Sequence, residues 1–109
     1  MAWSIEYTKL ANNDLSELDH SQRIQVLKAI RKVSENPLPN TEGGYGKPLG
    51  NQAISNLSGY LKIKLLKLGI RVVYKLVEQE GVIRLIIISV REDEKVYTML
   101  QERIKKGKE

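Results

Sequence analysis

Lys62, Lys64, Arg71 and Lys75 lie within "GYLKIKLLKLGIRVVYKL", Gly59 to Leu76, a stretch with no acidic residue. The acid-free interval runs from Glu42 to Glu78 and also holds Lys47 and Lys67. Side chains two apart on a strand share a face. Tyr60, Lys62 and Lys64 therefore point one way, and Leu61, Ile63 and Leu65 point the other. On the following strand Arg71, Val73 and Lys75 share a face, which pairing can make the same one. Like charges side by side on a sheet repel, and a negatively charged partner would remove that cost. A phosphate polymer is one such partner, with Lys62, Lys64, Arg71, Tyr60, Lys67, Lys75 and Lys47 as the candidate contacts. The plainer reading is lysine placed on a solvated or edge strand to block aggregation.

These residues need elements to hold them. The 109 residues suffice for one domain, 1–109, with one core. "AWSIEYT" alternates with Trp3, Ile5 and Tyr7 on one side, predicting a first strand. "KLANNDLSELD" carries Leu10, Leu15 and Leu18 at helical spacing. Asp19 or Ser21 can cap a second helix, "SQRIQVLKAIRKVSEN", with the stripe Val26, Leu27, Ile30 and Val33. Pro37 to Ser58 is rich in Pro, Gly, Asn and Ser and reads as a loop, its "GGYG" segment flexible. Strands follow near Tyr60–Leu66, Ile70–Val77 and Val82–Val90. A last amphipathic helix carries Val96, Met99, Leu100 and Ile104. The expected fold is α+β in the order βααβββα: a helical hairpin on one face of a mostly antiparallel four-stranded sheet, the lysine face left open.

Composition narrows the function. A net charge of +5 attracts phosphate polymers or anionic surfaces. The absence of cysteine excludes disulfides and thiolate chemistry. No His or Cys spacing suggests a metal, and no cofactor is implied. Glu92, Asp93 and Glu94 read as favourable charge at the start of the last helix. The N-terminus lacks a signal-peptide pattern and "VIRLIIISV" is too short to span a bilayer, so a cytoplasmic protein without membrane contact is expected. His20 reads as a turn residue, and Trp3, Tyr7 and Tyr74 as structural.

"YLKIKLLKLGIRVVYKL", followed by "IISVREDEKVY", resembles the RelE branch of the RelE/ParE toxin superfamily. "GKPLGN" resembles the segment that precedes that family's catalytic strand, and "LDHSQRIQVLKAIRKVSENP" its helical hairpin. The resemblance implies an endoribonuclease toxin that cleaves mRNA, in many members in the ribosomal A site, and a cognate antitoxin as partner. It assigns Lys62 and Lys64 to proton transfer and phosphate contact, and Arg71 to the scissile phosphate. It assigns Arg91 to the transition state or leaving group, and Tyr97 to the nucleotide. The segment before Arg91 is about two residues shorter than in the best-known members. The ParE-like alternative inhibits DNA gyrase without cutting RNA, and a basic RNA-binding module without turnover is a third reading.

The chemistry also follows from the residue types. RNA supplies its own nucleophile, the 2′-hydroxyl. Cleavage needs a base for that proton, charge stabilisation at phosphorus, and a proton for the 5′-oxygen. Neighbouring cations and desolvation both favour a neutral lysine. This qualifies Lys62 or Lys64 as the base, and the sequence does not choose between them. The planar forks of Arg71 and Arg91 suit phosphate oxygens.

Overall fold

The computed structural model describes residues 3–48, 60–77, 80–89 and 93–105, the last segment by its backbone alone as far as residue 97. Its two N-terminal helices start at side-chain caps. The Thr8 hydroxyl accepts a hydrogen bond from the Ala11 amide at 3.1 Å, and α1 runs Lys9–Ser16. Asp19 opens α2, His20–Val33, with a reciprocal capping box. Its carboxylate accepts from the Gln22 amide at 2.8 Å, while the Gln22 side chain accepts from the Asp19 amide at 3.3 Å. Asp19 is the cap rather than Ser21 because the residue three beyond it can close the box. His20, expected in the turn, is the exposed first residue of α2.

Arg23 ties the hairpin together. Its guanidinium donates to the carbonyls of Leu15, Ser16 and Leu18 at the end of α1. Terminal carbonyls of a helix have no partner within it, so one α2 side chain satisfies the end of its neighbour.

The sheet has five strands, correcting the expected four. They are β1 (Ser4–Tyr7), β2 (Lys47–Pro48), β3 (Tyr60–Leu65), β4 (Ile70–Val77) and β5 (Val82–Ser89), in spatial order β1-β5-β4-β3-β2. β3, β4 and β5 form an antiparallel meander, β1 runs parallel to β5, and β2 runs antiparallel to β3. β2 lies inside the stretch that reads as loop. Two residues, one a proline, carry no alternation, and proline is tolerated in a sheet at an edge such as this.

The "GGYG" segment is likewise packed, where a flexible loop was expected. The amides of Gly43, Gly44, Tyr45 and Gly46 donate to carbonyls of Asn40, Pro39, Asn36 and Leu38. A Cβ at Gly46 would collide with the Tyr74 hydroxyl, which donates to the Pro37 carbonyl at 2.8 Å. Burial pushes the Tyr74 hydroxyl well above the ordinary tyrosine pKa.

Alternation divides the sheet into two cores. Leu61, Ile70, Val72, Tyr74, Ile83, Leu85 and Ile88 join Ala11, Val26, Ile30 and Val33 of the helical hairpin. Tyr60, Val73, Ile86 and Ile87 lie on the other side with Leu100 of α3 (Asp93–Lys105), flanked by Met99 and Ile104. A β-bulge makes this possible. Val73 pairs with Ile87 but Tyr74 pairs with Leu85, so Ile86 is an extra residue. The extra residue shifts the alternation, and two consecutive isoleucines face α3.

The lysine side of the sheet is therefore not left open: α3 covers part of it. A partly buried ion pair anchors the helix. Arg103 meets Asp14 of α1 through two hydrogen bonds of 2.9 and 3.1 Å and also donates to the Ile86 carbonyl. The Asp14 carboxylate accepts from the Ile88 amide at 3.0 Å. β1 pairs with β5 only as far as Leu85. The Asp14–Arg103 pair thus satisfies backbone groups of β5 beyond the end of β1. Among the described residues no helix is long and apolar enough to cross a membrane.

Candidate functional site

Strand register brings the predicted cations together. Lys64 stands directly opposite Arg71, Lys62 opposite Val73, and Tyr60 opposite Lys75. On the other side of β3, Lys47 stands opposite Lys62. Beyond β4, Ser89 faces Arg71 and Arg84 faces Lys75. Lys47/Lys62, Lys64/Arg71 and Lys75/Arg84 are like-charged cross-strand pairs, an arrangement that costs stability by itself.

The members differ in environment. Lys62 is only 6% exposed and Tyr60 only 4%, so neither lies on the open surface expected for them. Tyr60 packs in the core shared with Leu100 of α3, and the short β2 flanks Lys62 on β3. Lys62 is not on an edge strand and is not solvated, so the anti-aggregation reading does not fit it. Lys64, beyond the reach of β2, is exposed, and Arg71 is half-buried with its guanidinium 3.4 Å from the Gly69 carbonyl. Gly69 adopts φ +66° to close the turn after β3, a conformation that glycine reaches without strain.

The Lys75 ammonium lies 5.4 Å from the centroid of the Tyr60 ring. This cation–π contact gives both residues a mutual role within the protein. Lys67 is exposed in the turn between β3 and β4, off the strand row. Lys47 is exposed in β2. Tyr97 belongs to the backbone of α3, and its side chain lies outside the description. Arg91 lies outside the described residues altogether, as does Glu92, while Asp93 begins α3.

Two residues on this face escape the sequence reading. Ser89, 8% exposed, sits across from Arg71; its polarity at the end of an isoleucine run was the available signal. Arg84 interrupts an apolar strand and meets Glu6 of β1 at 2.5 Å. Met99, Leu100 and Ile104 of α3 resolve as core packing, with Leu100 fully buried, and the side chain of Val96 lies outside the description. Among the described residues no group of three His, Cys, Asp or Glu is disposed to hold a metal ion.

With this geometry in place, comparison with known proteins is informative. No family model matches the chain. A putative RelE-like toxin protein from Escherichia coli is 24% identical over 106 residues, spanning 96% of this chain and all of that protein. The crystal structure of the isolated E. coli RelE toxin superposes with a TM-score of 0.67 at 25% identity, covering 94% of this chain and 99% of the toxin.

In sequence and fold the chain is similar to RelE toxins.

The same fold recurs in the toxin–antitoxin complex RelBE2 from Mycobacterium tuberculosis, with a TM-score of 0.67, 20% identity, and coverage of 85% of this chain and 95% of that one. The RelE-like likeness spans both cores, and so includes the sheet that carries the Lys64–Arg71 pair.

Proposed function

We propose that this RelE-like chain is the toxin of a type II toxin–antitoxin pair. In this reading it is an endoribonuclease that cuts mRNA in the ribosomal A site by attack of the 2′-hydroxyl on the adjacent phosphate. The observation that carries the reading is the cationic constellation itself: Lys64 opposite Arg71, with the enclosed Lys62 two residues away on the same face.

The steps balance without a metal. Lys62 or Lys64 takes the proton from the 2′-hydroxyl. The 2′-oxygen bonds to phosphorus, and Arg71 offsets the charge that gathers on the phosphoryl oxygens. The bond to the 5′-oxygen breaks, and Arg91 or a lysine that has gained a proton assists that oxygen as it is protonated. Tyr97 orients the nucleotide. The products are a 2′,3′-cyclic phosphate and a 5′-hydroxyl. The antitoxin partner is supported by relatives solved as toxin–antitoxin complexes.

A message with one 2′-deoxy sugar immediately 5′ of the scissile phosphate tests the mechanism. On programmed ribosomes the unmodified message should be cut within codons and the deoxy message left whole. Cutting of the deoxy message at the same bond would remove the roles proposed for Lys62, Lys64, Arg71 and Arg91. Intact messages of both kinds would end the nuclease reading.

A further inference from the structure

A groove of about 330 Å³ lies away from the covered part of the sheet, between α2 and the turn that joins β3 to β4. Gln25, Lys64, Leu65, Leu66, Lys67 and Leu68 line it. Leu66 is 84% exposed, and Ile24, beside Gln25 in α2, is 40% exposed. A single exposed leucine is ordinary. A concave site with three leucines, one ending β3 and two in the turn, and two lysines has the composition of an anchor pocket with a charged rim.

The two elements that wall it carry charge of one sign. α2, His20–Val33, contains Arg23, Lys28, Arg31 and Lys32 and no acid, and residues 60–77 contain none either. Both walls of the groove are thus built from elements without a carboxylate. A partner segment that fills it gains by bringing aliphatic side chains for the leucines and carboxylates for the lysines.

We infer that this groove docks an acidic, aliphatic segment of a partner protein, with Leu66 as its apolar anchor and Lys64 and Lys67 as its charged contacts. Single-stranded RNA fits the site less well. Among the described residues no aromatic ring lines the groove, and stacking on such rings is how single strands are usually gripped. Lys64 belongs both to the groove and to the pair with Arg71. A docked carboxylate therefore reaches one of the cations of the candidate site from its outer side. The partner would be coupled to that site without covering it. Docking stands whether or not the sheet face cleaves RNA, because its test reads binding alone.

The test is selection of short random peptides displayed against the full-length chain, followed by titration of the winners into isotopically labelled protein. Winners should combine aliphatic with acidic residues and shift the amides of Gln25 and of residues 65–68. Leu66→Asp should weaken them by about tenfold or more, the loss of one well-buried anchor. Lys67→Glu should weaken them through charge, and added salt should shrink that difference. Both residues are exposed, so thermal midpoints should stay close to the parent and serve as the folding control. Winners that bind Leu66→Asp as tightly as the parent, shifts confined to the Arg71 face, or no acidic enrichment would overturn the proposal. So would an oligouridylate that shifts the groove amides where the acidic peptides do not, which would assign the groove to RNA.

Discussion

The two faces of one sheet are put to different use by the same three strands. Toward the helical hairpin, β3, β4 and β5 present aliphatic residues, with the Tyr74 hydroxyl satisfied by Pro37. Toward α3, the same strands interleave Tyr60, Val73, Ile86 and Ile87 with Lys62, Lys64, Arg71, Lys75 and Arg84. The first face can be optimised for burial because its partners are two capped helices joined at Arg23. The second keeps cations beside an apolar patch that a single helix covers, and an ion pair supplies part of that helix's anchorage. Stability resides mainly on one side and the proposed chemistry on the other, with strand alternation as the device that separates them.

The largest expected change comes from breaking the anchor of the second face. Arg103→Ala leaves the partly buried Asp14 carboxylate without its guanidinium, at about 3 kcal/mol, the low end of the cost of breaking a buried pair. Urea unfolding should show that loss, and amide exchange should quicken at Ile86 and Ile87 before Val72 or Tyr74. Equal exchange on both faces would mean that α3 is held by its apolar contacts alone.

A paired substitution sharpens the division of labour. Arg71→Ala should lower the cleavage step by about 10²–10³-fold, the usual effect of losing one charge-stabilising donor. Its unfolding free energy should change by about 0.5 kcal/mol or less. Leu85→Ala, on the hairpin face, should cost about 2–5 kcal/mol of stability through the cavity it leaves, while the folded fraction keeps its cleavage rate. Single-turnover kinetics beside denaturant titration separates the two.

Tyr74→Phe probes the loop's attachment to the hairpin face. Loss of the hydrogen bond leaves the Pro37 carbonyl unsatisfied, at about 1–3 kcal/mol. The pH dependence has a definite sign. The folded chain keeps a proton on Tyr74 that the unfolded chain releases above about pH 10. This contribution is whole below that pH and falls away as pH rises toward the elevated folded value. The phenylalanine variant should lose less stability than the parent between neutral and strongly alkaline solution.

The smallest expected effect is at Lys75. Its ammonium is already engaged with the Tyr60 ring, so Lys75→Ala should weaken RNA binding only modestly. The slope of log affinity against log salt should fall by about 0.7, the value for one phosphate contact on a single strand. An unchanged slope would assign Lys75 to Tyr60 alone.

Much of this architecture is written in local patterns. Thr8 and Asp19 sit where caps are needed, the valines and isoleucines of α2 recur at helical spacing, and Lys62 and Lys64 alternate with Leu61, Ile63 and Leu65. Those features depend on near neighbours in the chain, which is why they are legible residue by residue. The sharing of one face by Lys64, Arg71 and Lys75 also follows from alternation once β3 and β4 pair across a short turn. Other features depend on partners far away in sequence. The edge strand at Lys47–Pro48 exists only because β3 offers it a ladder. The bulge at Ile86 is invisible within a run of three isoleucines. The burial of Tyr60 follows from a core shared with α3, which Arg103 holds against Asp14 in a contact between opposite ends of the chain. The sequence by itself determined which side chains share a face, because that is a property of the strand. Which faces are covered was decided by tertiary packing, because burial depends on what arrives from elsewhere in the chain.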